Sequence, residues 1–424
     1  MATLDSLAAT DREALLTRTA STYEAFRDRG LKLDMTRGKP APEQLDLSNP
    51  MLTLPGNGDY HTEAGEDARN YGGLQGLPEV RRLFAPMLQA PFDQIVVGDN
   101  SSLALMHDCV AWAMLHGVPG SEMPWARDTA PAFLCPVPGY DRHFAICEAF
   151  GIRMLPVPMT GDGPDMDVVE ALVADPSVRG MWCVPKYANP SGETYSDATI
   201  RRLAAMATGA SDFRLFWDNA YAVHHLTERR HAIPSILDLC AQASHPERAF
   251  VFASTSKVTL SGAGLAFFAG SPANVRWYLG RAAFRTIGPD KLNQLRHLRF
   301  LKDFAGIEAH MEAQRALIAP KFDAVLDALE ARLAGTGAAR WSRPDGGYFV
   351  AVDVMDGTAR RVVDLAREAG IALTPAGATS PYGHDPHDRT LRLAPTYPSL
   401  RDVRAAAEGI ALCILLAALE RLEA

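Results

Sequence analysis

Apolar residues recur along this chain with two periods, and the switching between them divides it into elements. From Asp11 to Arg29, Leu15, Leu16, Tyr23 and Phe26 return at helical spacing and predict a first amphipathic helix. Gly and Pro then punctuate the stretch from Asp34 to Asp67, which reads as an extended arm with little regular structure. The run Asn70 to Arg81 is a glycine-rich turn leading into a helix, with Pro78 in its first turn. Beyond it, apolar runs of strand length occur at Ile95–Val97, Ala132–Cys135, Arg153–Val157, Met181–Val184, Leu215–Trp217, Phe250–Phe252 and Leu265–Phe268. Helical patterns fall between most of them, the first carrying Leu103, Met106, Val110 and Met114. This alternation predicts an α/β fold with a mostly parallel sheet flanked by helices. Ile307 to Leu333 predicts a long amphipathic helix, bent at Pro320, that bridges two lobes. Strands at Tyr348–Val354 and Thr390–Leu393 and helices at Thr358–Ala369 and Leu400–Leu422 complete a second, smaller α/β lobe.

Composition narrows the classes of function. The chain has 424 residues, 47% of them hydrophobic and 22% charged, with a net charge of −8. No basic stripe is available to neutralise phosphates, which argues against a nucleic-acid partner. The six cysteines lie far apart and several sit in apolar runs, so they read as reduced core residues. No apolar run reaches the roughly 18 residues of a membrane span, and the N-terminal stretch has acidic residues and no unbroken apolar core, so neither export nor membrane spanning is expected. A cytoplasmic enzyme with no membrane association is expected.

Candidate chemistry collects where strands end, which is where open α/β sheets bind ligands. Lys257 follows the apolar run at Phe250 within Ser254-Thr255-Ser256-Lys257, where partial desolvation would give a neutral amine able to condense with an aldehyde. Asp218 follows Leu215–Trp217, with Tyr221 three residues on, and Asn189 lies in the turn after Met181–Val184. Asn189, Asp218 and Lys257 are separated by 29 and 39 residues, about one strand and crossover each, so their strand ends can converge. A carboxylate facing a lysine suits a heteroaromatic aldehyde: Asp218 would hold a ring nitrogen protonated, while Asn189 and Tyr221 could hydrogen-bond a phenolic oxygen. Ser101 and Ser102 at a helix N-terminus, with Ser254 opposite, could hold a phosphate, and Tyr140 offers a face for stacking.

These residues resemble those of the pyridoxal-phosphate enzymes of fold type I, the aspartate aminotransferase superfamily. The resemblance runs from Thr36 to Thr396 through the turn Tyr71–Gly76, Asn189-Pro190-Ser191-Gly192, Asp218 with Tyr221, Ser254-Thr255-Ser256-Lys257 and Leu391-Arg392-Leu393. A finer match is to bacterial aspartate aminotransferases with Arg37-Gly38-Lys39-Pro40 and Thr286-Ile287-Gly288-Pro289-Asp290-Lys291. The resemblance implies pyridoxal 5′-phosphate as cofactor, Arg392 as the fork for the substrate α-carboxylate, and Arg37–Lys39 over the substrate. It also implies that Tyr71 reaches the phosphate of a neighbouring subunit, hence a homodimer with shared sites. One departure stands out: Leu265 occupies the place where many members carry a phosphate-binding arginine.

The reading that follows is a ping-pong aminotransferase moving an amino group between an amino acid and a 2-oxo acid. Arg37, Lys39, Arg285 and Lys291 flank two tight turns and supply candidate cations for a distal carboxylate, which points to aspartate and glutamate with oxaloacetate and 2-oxoglutarate. A lyase or decarboxylase on the same fold is the alternative. A transcriptional regulator with an aminotransferase-like domain ranks last, for want of a basic DNA-binding segment. Expected domain bounds are 1–66 for the N-terminal helix and arm, which join the small domain, 67–305 for the large domain and 306–424 for the rest of the small one.

Overall fold

The computed structural model describes residues 3–128 and 130–423, so the outermost bounds expected for the domains, residues 1 and 424, lie outside the described residues. In chain order the strands are β1 (Leu33–Asp34), β2 (Ile95–Val97), β3 (Ala132–Val137), β4 (Arg153–Pro158), β5 (Val178–Cys183) and β6 (Arg214–Asp218). They continue with β7 (Ala249–Ser254), β8 (Ala266–Gly270), β9 (Ala339–Trp341), β10 (Val350–Val354), β11 (Ile371–Ala372) and β12 (Thr390–Leu393).

Seven strands form one sheet in the order β2-β8-β7-β6-β5-β3-β4. From β4 to β7 all neighbours pair in parallel, and β8 alone runs against both β7 and β2. The reversal of β8 keeps β2 parallel to the rest, so the C-terminal ends of β2, β3, β5, β6 and β7 share one edge. Every residue of β6 and β8 is buried, as a sheet covered on both faces requires. Alternate residues serve opposite faces: Met181, Leu215, Trp217, Val251 and Phe267 enter one core, and Trp182, Phe216, Phe250, Phe252 and Phe268 the other.

A third core joins the two ends of the chain. Tyr23, Phe26 and Met35 pack with Phe322, Val352, Val362 and the buried face of the helix Leu400–Glu423. The antiparallel sheet β12-β10-β9 and the parallel pair β1-β11 lie in this part. The helix Phe304–Leu333 spans both parts; Asp303 caps its start by accepting from the Gly306 amide at 2.8 Å, and Pro320 lies within it without ending it.

The arm is more regular than its Gly and Pro content suggests. A short helix, Pro42–Asp46, and a 3-10 turn, Asn49–Thr53, form within it. Gln44 supplies the reason: its Oε1 accepts from the Ala41 amide at 3.0 Å while its Nε2 donates to Gln314 at 2.6 Å and to Tyr348 at 3.1 Å. Those partners lie far along the chain, so the local pattern could not announce them. All six cysteines are buried and unpaired. No helix among the described residues is long and apolar enough to cross a membrane.

Candidate active site

The shared edge of the sheet opens into a cleft of about 700 Å3. Each strand end delivers a group to it: Ser101 and Ser102 after β2, Tyr140 after β3, Asn189 after β5, Asp218 and Tyr221 from β6, and Ser254 and Lys257 from β7. The other wall comes from the third core, with Arg37, Gly38, Lys39, Phe349, Thr374 and Arg392.

Asp218 is 3% exposed, and its Oδ2 accepts from His143 Nε2 at 3.1 Å. His143 stacks on Trp182 with the rings 4.4 Å apart and 8° from parallel, and meets Tyr140 edge-on. That packing fixes the imidazole and through it the carboxylate. The second oxygen, Oδ1, is buried with no hydrogen-bond partner among the described residues, as is Asn189 Oδ1. Two buried acceptors left open beside one cleft are costly unless a donor arrives to meet them.

Lys257 faces this pair from β7. Burial pushes its ammonium pKa below the ordinary lysine value, and the Asp218 carboxylate pulls the other way. Its Nζ lies 5.1 Å from the centre of the Tyr221 ring. Burial, reinforced by Tyr140 and Asp218, raises the Tyr221 phenol well above its usual range, and burial, reinforced by Asp218 and Asp141, pushes Tyr140 up to about 12, so both present hydroxyls at neutral pH. The Lys257 backbone is also held, its carbonyl accepting from His224 Nε2 at 3.2 Å and from the Tyr348 hydroxyl at 3.4 Å.

The hydroxyls around the lysine divide in two. Ser254 and Ser256 line the cleft, and Ser101 caps the helix Ser102–His116 by accepting from the Ala104 amide at 3.3 Å. Thr255 is instead fully buried, and its hydroxyl meets His297 Nε2 at 3.1 Å. Leu265 is buried too, and its amide donates to Thr255 Oγ1 at 2.8 Å.

Arg392 Nη1 donates to Asp141 Oδ1 at 2.9 Å, and Nη2 reaches Thr374 Oγ1 at 3.4 Å. Nε is buried and has no partner among the described residues. The Asp141 contact therefore leaves the Nε edge of the guanidinium for another carboxylate. Phe349 lies 5.1 Å beneath that guanidinium and also explains Gly38, because a Cβ there would collide with the Phe349 ring.

Tyr71, Arg285 and Lys291 do not line this cleft. Arg285 pairs with Asp99 at 2.6 Å and Asp108 at 2.9 Å, and Lys291 is buried against Glu66. Their two turns nevertheless meet, for a Cβ on Gly288 would strike the Gly72 carbonyl. Tyr71 projects from that junction, 78% exposed. Sequence reasoning gave no role to Asp141, Arg142 or His143, although they follow Tyr140 directly. The helix Asp141–Ala149 begins there, so one turn brings all three beside the tyrosine, a spacing visible in the sequence.

With this geometry in view, comparison with known proteins is decisive. A family model described as aspartate amino-transferase matches residues 7–424. The chain belongs to that aminotransferase family. A Mycolicibacterium smegmatis protein named only as an aminotransferase is 55% identical over 403 residues, 94% of each chain. The crystal structure of an aspartate transaminase from Corynebacterium glutamicum superposes with a TM-score of 0.97 at 47% identity, covering 99% of both chains. An alpha-aminoadipate aminotransferase from Thermus thermophilus, solved with N-(5′-phosphopyridoxyl)-L-leucine, shares the fold with a TM-score of 0.73 at 24% identity over 96% of this chain and 98% of its own. The protein is thus an aminotransferase with the mixed α/β architecture of fold type I.

Proposed function

We propose that this aminotransferase uses pyridoxal 5′-phosphate and acts on aspartate and glutamate with their 2-oxo acids, as a homodimer. The observation that carries the cofactor is the unpartnered Asp218 Oδ1 in the cleft that Lys257 also lines. A protonated ring nitrogen satisfies that oxygen, and Asn189 and Tyr221 stand ready for a ring hydroxyl. Ser101, Ser102, Ser254 and Ser256 fit a phosphate at the start of the helix Ser102–His116. Leu265 brings no charge to that contact, which hydroxyls and helix amides would carry. When bound, the cofactor supplies an aldehyde and a ring that absorbs negative charge.

The chain's own residues do the rest. Arg392 orients the amino acid by its α-carboxylate through the edge that Asp141 leaves free, and Phe349 keeps that fork flat against the cleft wall. Lys257, its basicity lowered by burial, accepts the proton from the substrate Cα through Nζ and later returns one. Asp218 acts as a fixed charge, held by His143. A dicarboxylic substrate is supported by the surplus of cations at the mouth, where Arg37, Lys39 and Arg142 all line the cleft. The 47% identical aspartate transaminase supports the same choice.

Adding aspartate, glutamate and alanine singly to the holoenzyme and following its visible absorbance tests this reading. Aspartate and glutamate should convert the cofactor to its aminated form in stoichiometric amount and alanine should do so far more slowly. Equal rates for all three would remove the dicarboxylate assignment, and no conversion would remove the reaction.

A further inference from the structure

A second cavity, of about 260 Å3, lies behind the active-site loop. Asn219, Ala222 and Val223 line it, whereas Asp218, Ala220 and Tyr221 line the cleft, so one loop forms a wall of each. The chemistry proposed for the cleft makes no use of it.

Its polar lining is unbalanced. Lys186, after β5, is 8% exposed, and its Nζ has one acceptor, the Ala222 carbonyl at 2.8 Å. An ammonium carries three donors, so two remain open. No carboxylate pairs with it among the described residues. The acids that line the cavity are Glu308 and Glu312, and both are engaged elsewhere, each 3.6 Å from Arg230, with Glu312 also bonded to Arg315. Arg315 has a further partner in Glu228 at 2.7 Å. Arg230 and Arg315 are thus matched by Glu308, Glu312 and Glu228, and Lys186 is the cation of the lining with no carboxylate beside it among the described residues.

His225 adds a neutral donor. Its Nδ1 takes a hydrogen bond from the Tyr187 hydroxyl at 2.7 Å, that hydroxyl itself accepting from the His231 amide at 3.4 Å. With the hydroxyl donating to Nδ1, the ring proton is carried on Nε2. Burial, with Lys186 and Arg230 nearby, pushes the His225 pKa down to about 4, so the ring stays uncharged at neutral pH. Burial alone pushes Lys186 down to about 8, which leaves it mostly charged at pH 7 and short of a counter-ion.

We infer that this cavity binds a small oxyanion, of the size of inorganic phosphate or a short carboxylate, on the Lys186 ammonium and the His225 Nε2–H. The oxyanion supplies the acceptors that the two donors lack and a counter-charge for Lys186, while Arg230 and Arg315 stay with their glutamates. It also sits on the ammonium that bonds the Ala222 carbonyl, and so bears on one of the bonds, with that between Tyr187 and His225, that tie the turn carrying Asn189 to the loop carrying Tyr221.

The test is differential acetylation of the holoenzyme by limiting acetic anhydride, read by peptide mass spectrometry, in phosphate, in acetate and in chloride of equal ionic strength. Lys302, exposed and lining neither the cleft nor this cavity, is the internal control. Phosphate or acetate should slow the labelling of Lys186 severalfold and saturably while Lys302 reacts as in chloride, and the more effective of the two names the source. Labelling of Lys186 that ignores both anions, or that changes only in step with Lys302, overturns the site. Melting temperatures provide a second measurement: the wild-type holoenzyme should gain a saturable stabilisation from the effective anion that Lys186→Met lacks. An equal gain in both proteins would place the anion elsewhere and overturn the proposal.

Discussion

Arg392 shows how much a single side chain's surroundings decide. Its charge is satisfied by Asp141, so the proposed fork is held ready without a vacant buried cation. The distal carboxylate of the proposed substrate has no such fixture, and the choice falls among the cations that line the cleft. Lys39 already stands 3.7 Å over the Tyr397 ring, while Arg37 and Arg142 have no carboxylate partner among the described residues. Recruiting either guanidinium breaks no ion pair, whereas Arg285 would have to leave both Asp99 and Asp108. Arg37→Ala or Arg142→Ala should therefore lower the aspartate-to-alanine ratio of kcat/KM by at least about tenfold, roughly 1.4 kcal/mol. The assay is steady-state kinetics with both substrates, run also on Lys39, Arg285 and Lys291 variants. A ratio that moves only in those last three would shift the determinant to them.

At the scale of elements, the Lys257 turn is latched from two sides by neutral histidines. His297, on the helix Lys291–Leu301, donates from Nδ1 to the Asn293 carbonyl at 2.8 Å and accepts through Nε2 from Thr259 at 2.9 Å and Thr255 at 3.1 Å. His224 donates to the Lys257 carbonyl from the other side. Burial pushes His297 down to about 4 and His224 down to about 3. In the unfolded chain each takes up a proton near pH 6.5. Both pKa values fall on folding, so the stability these rings contribute is complete above about pH 6.5 and is lost as the pH drops toward 4. The loss is about 1.4 kcal/mol per histidine for each full pH unit below that point. Urea denaturation at pH 7 and pH 5 should show the decline, and His297→Gln should show a slope shallower by about one proton. An unchanged slope in the variant would mean that His297 is not held neutral.

For the whole molecule, the turns carrying Tyr71 and Gly288 form one surface on which Tyr71, Phe284 and Ile287 are 78%, 89% and 67% exposed. Such large apolar groups gathered outside the core fit a covered interface. We propose that a second copy covers them and that Tyr71 completes the partner's cleft. Mixing inactive Lys257→Ala and Tyr71→Ala subunits should then restore activity, because one site of each hybrid dimer regains both residues. Verified subunit exchange with no recovery would exclude a shared site. The proposed division at residues 66 and 305 is supported by the core that joins Tyr23, Phe26 and Met35 to the C-terminal helix, since it makes the arm part of the smaller lobe.

Much of this protein was legible before any coordinates. Period and strand length marked the sheet, and polar residues just past apolar runs marked Asn189, Asp218, Tyr221 and Lys257, because a buried strand exposes its chemistry only at its end. Both signals are local, written within a few residues of each other. The reversal of β8, the helix at Pro42 and the burial of Thr255 were not legible, because each depends on partners elsewhere in the fold. The same holds for the groups that tune the site: Asp218 meets His143 across 75 residues and Arg392 meets Asp141 across 251. Sequence names the residues able to carry charge, and tertiary contact alone decides which charges are already satisfied, so the open edge of Arg392 and the unpaired Lys186 emerge only when the chain is folded.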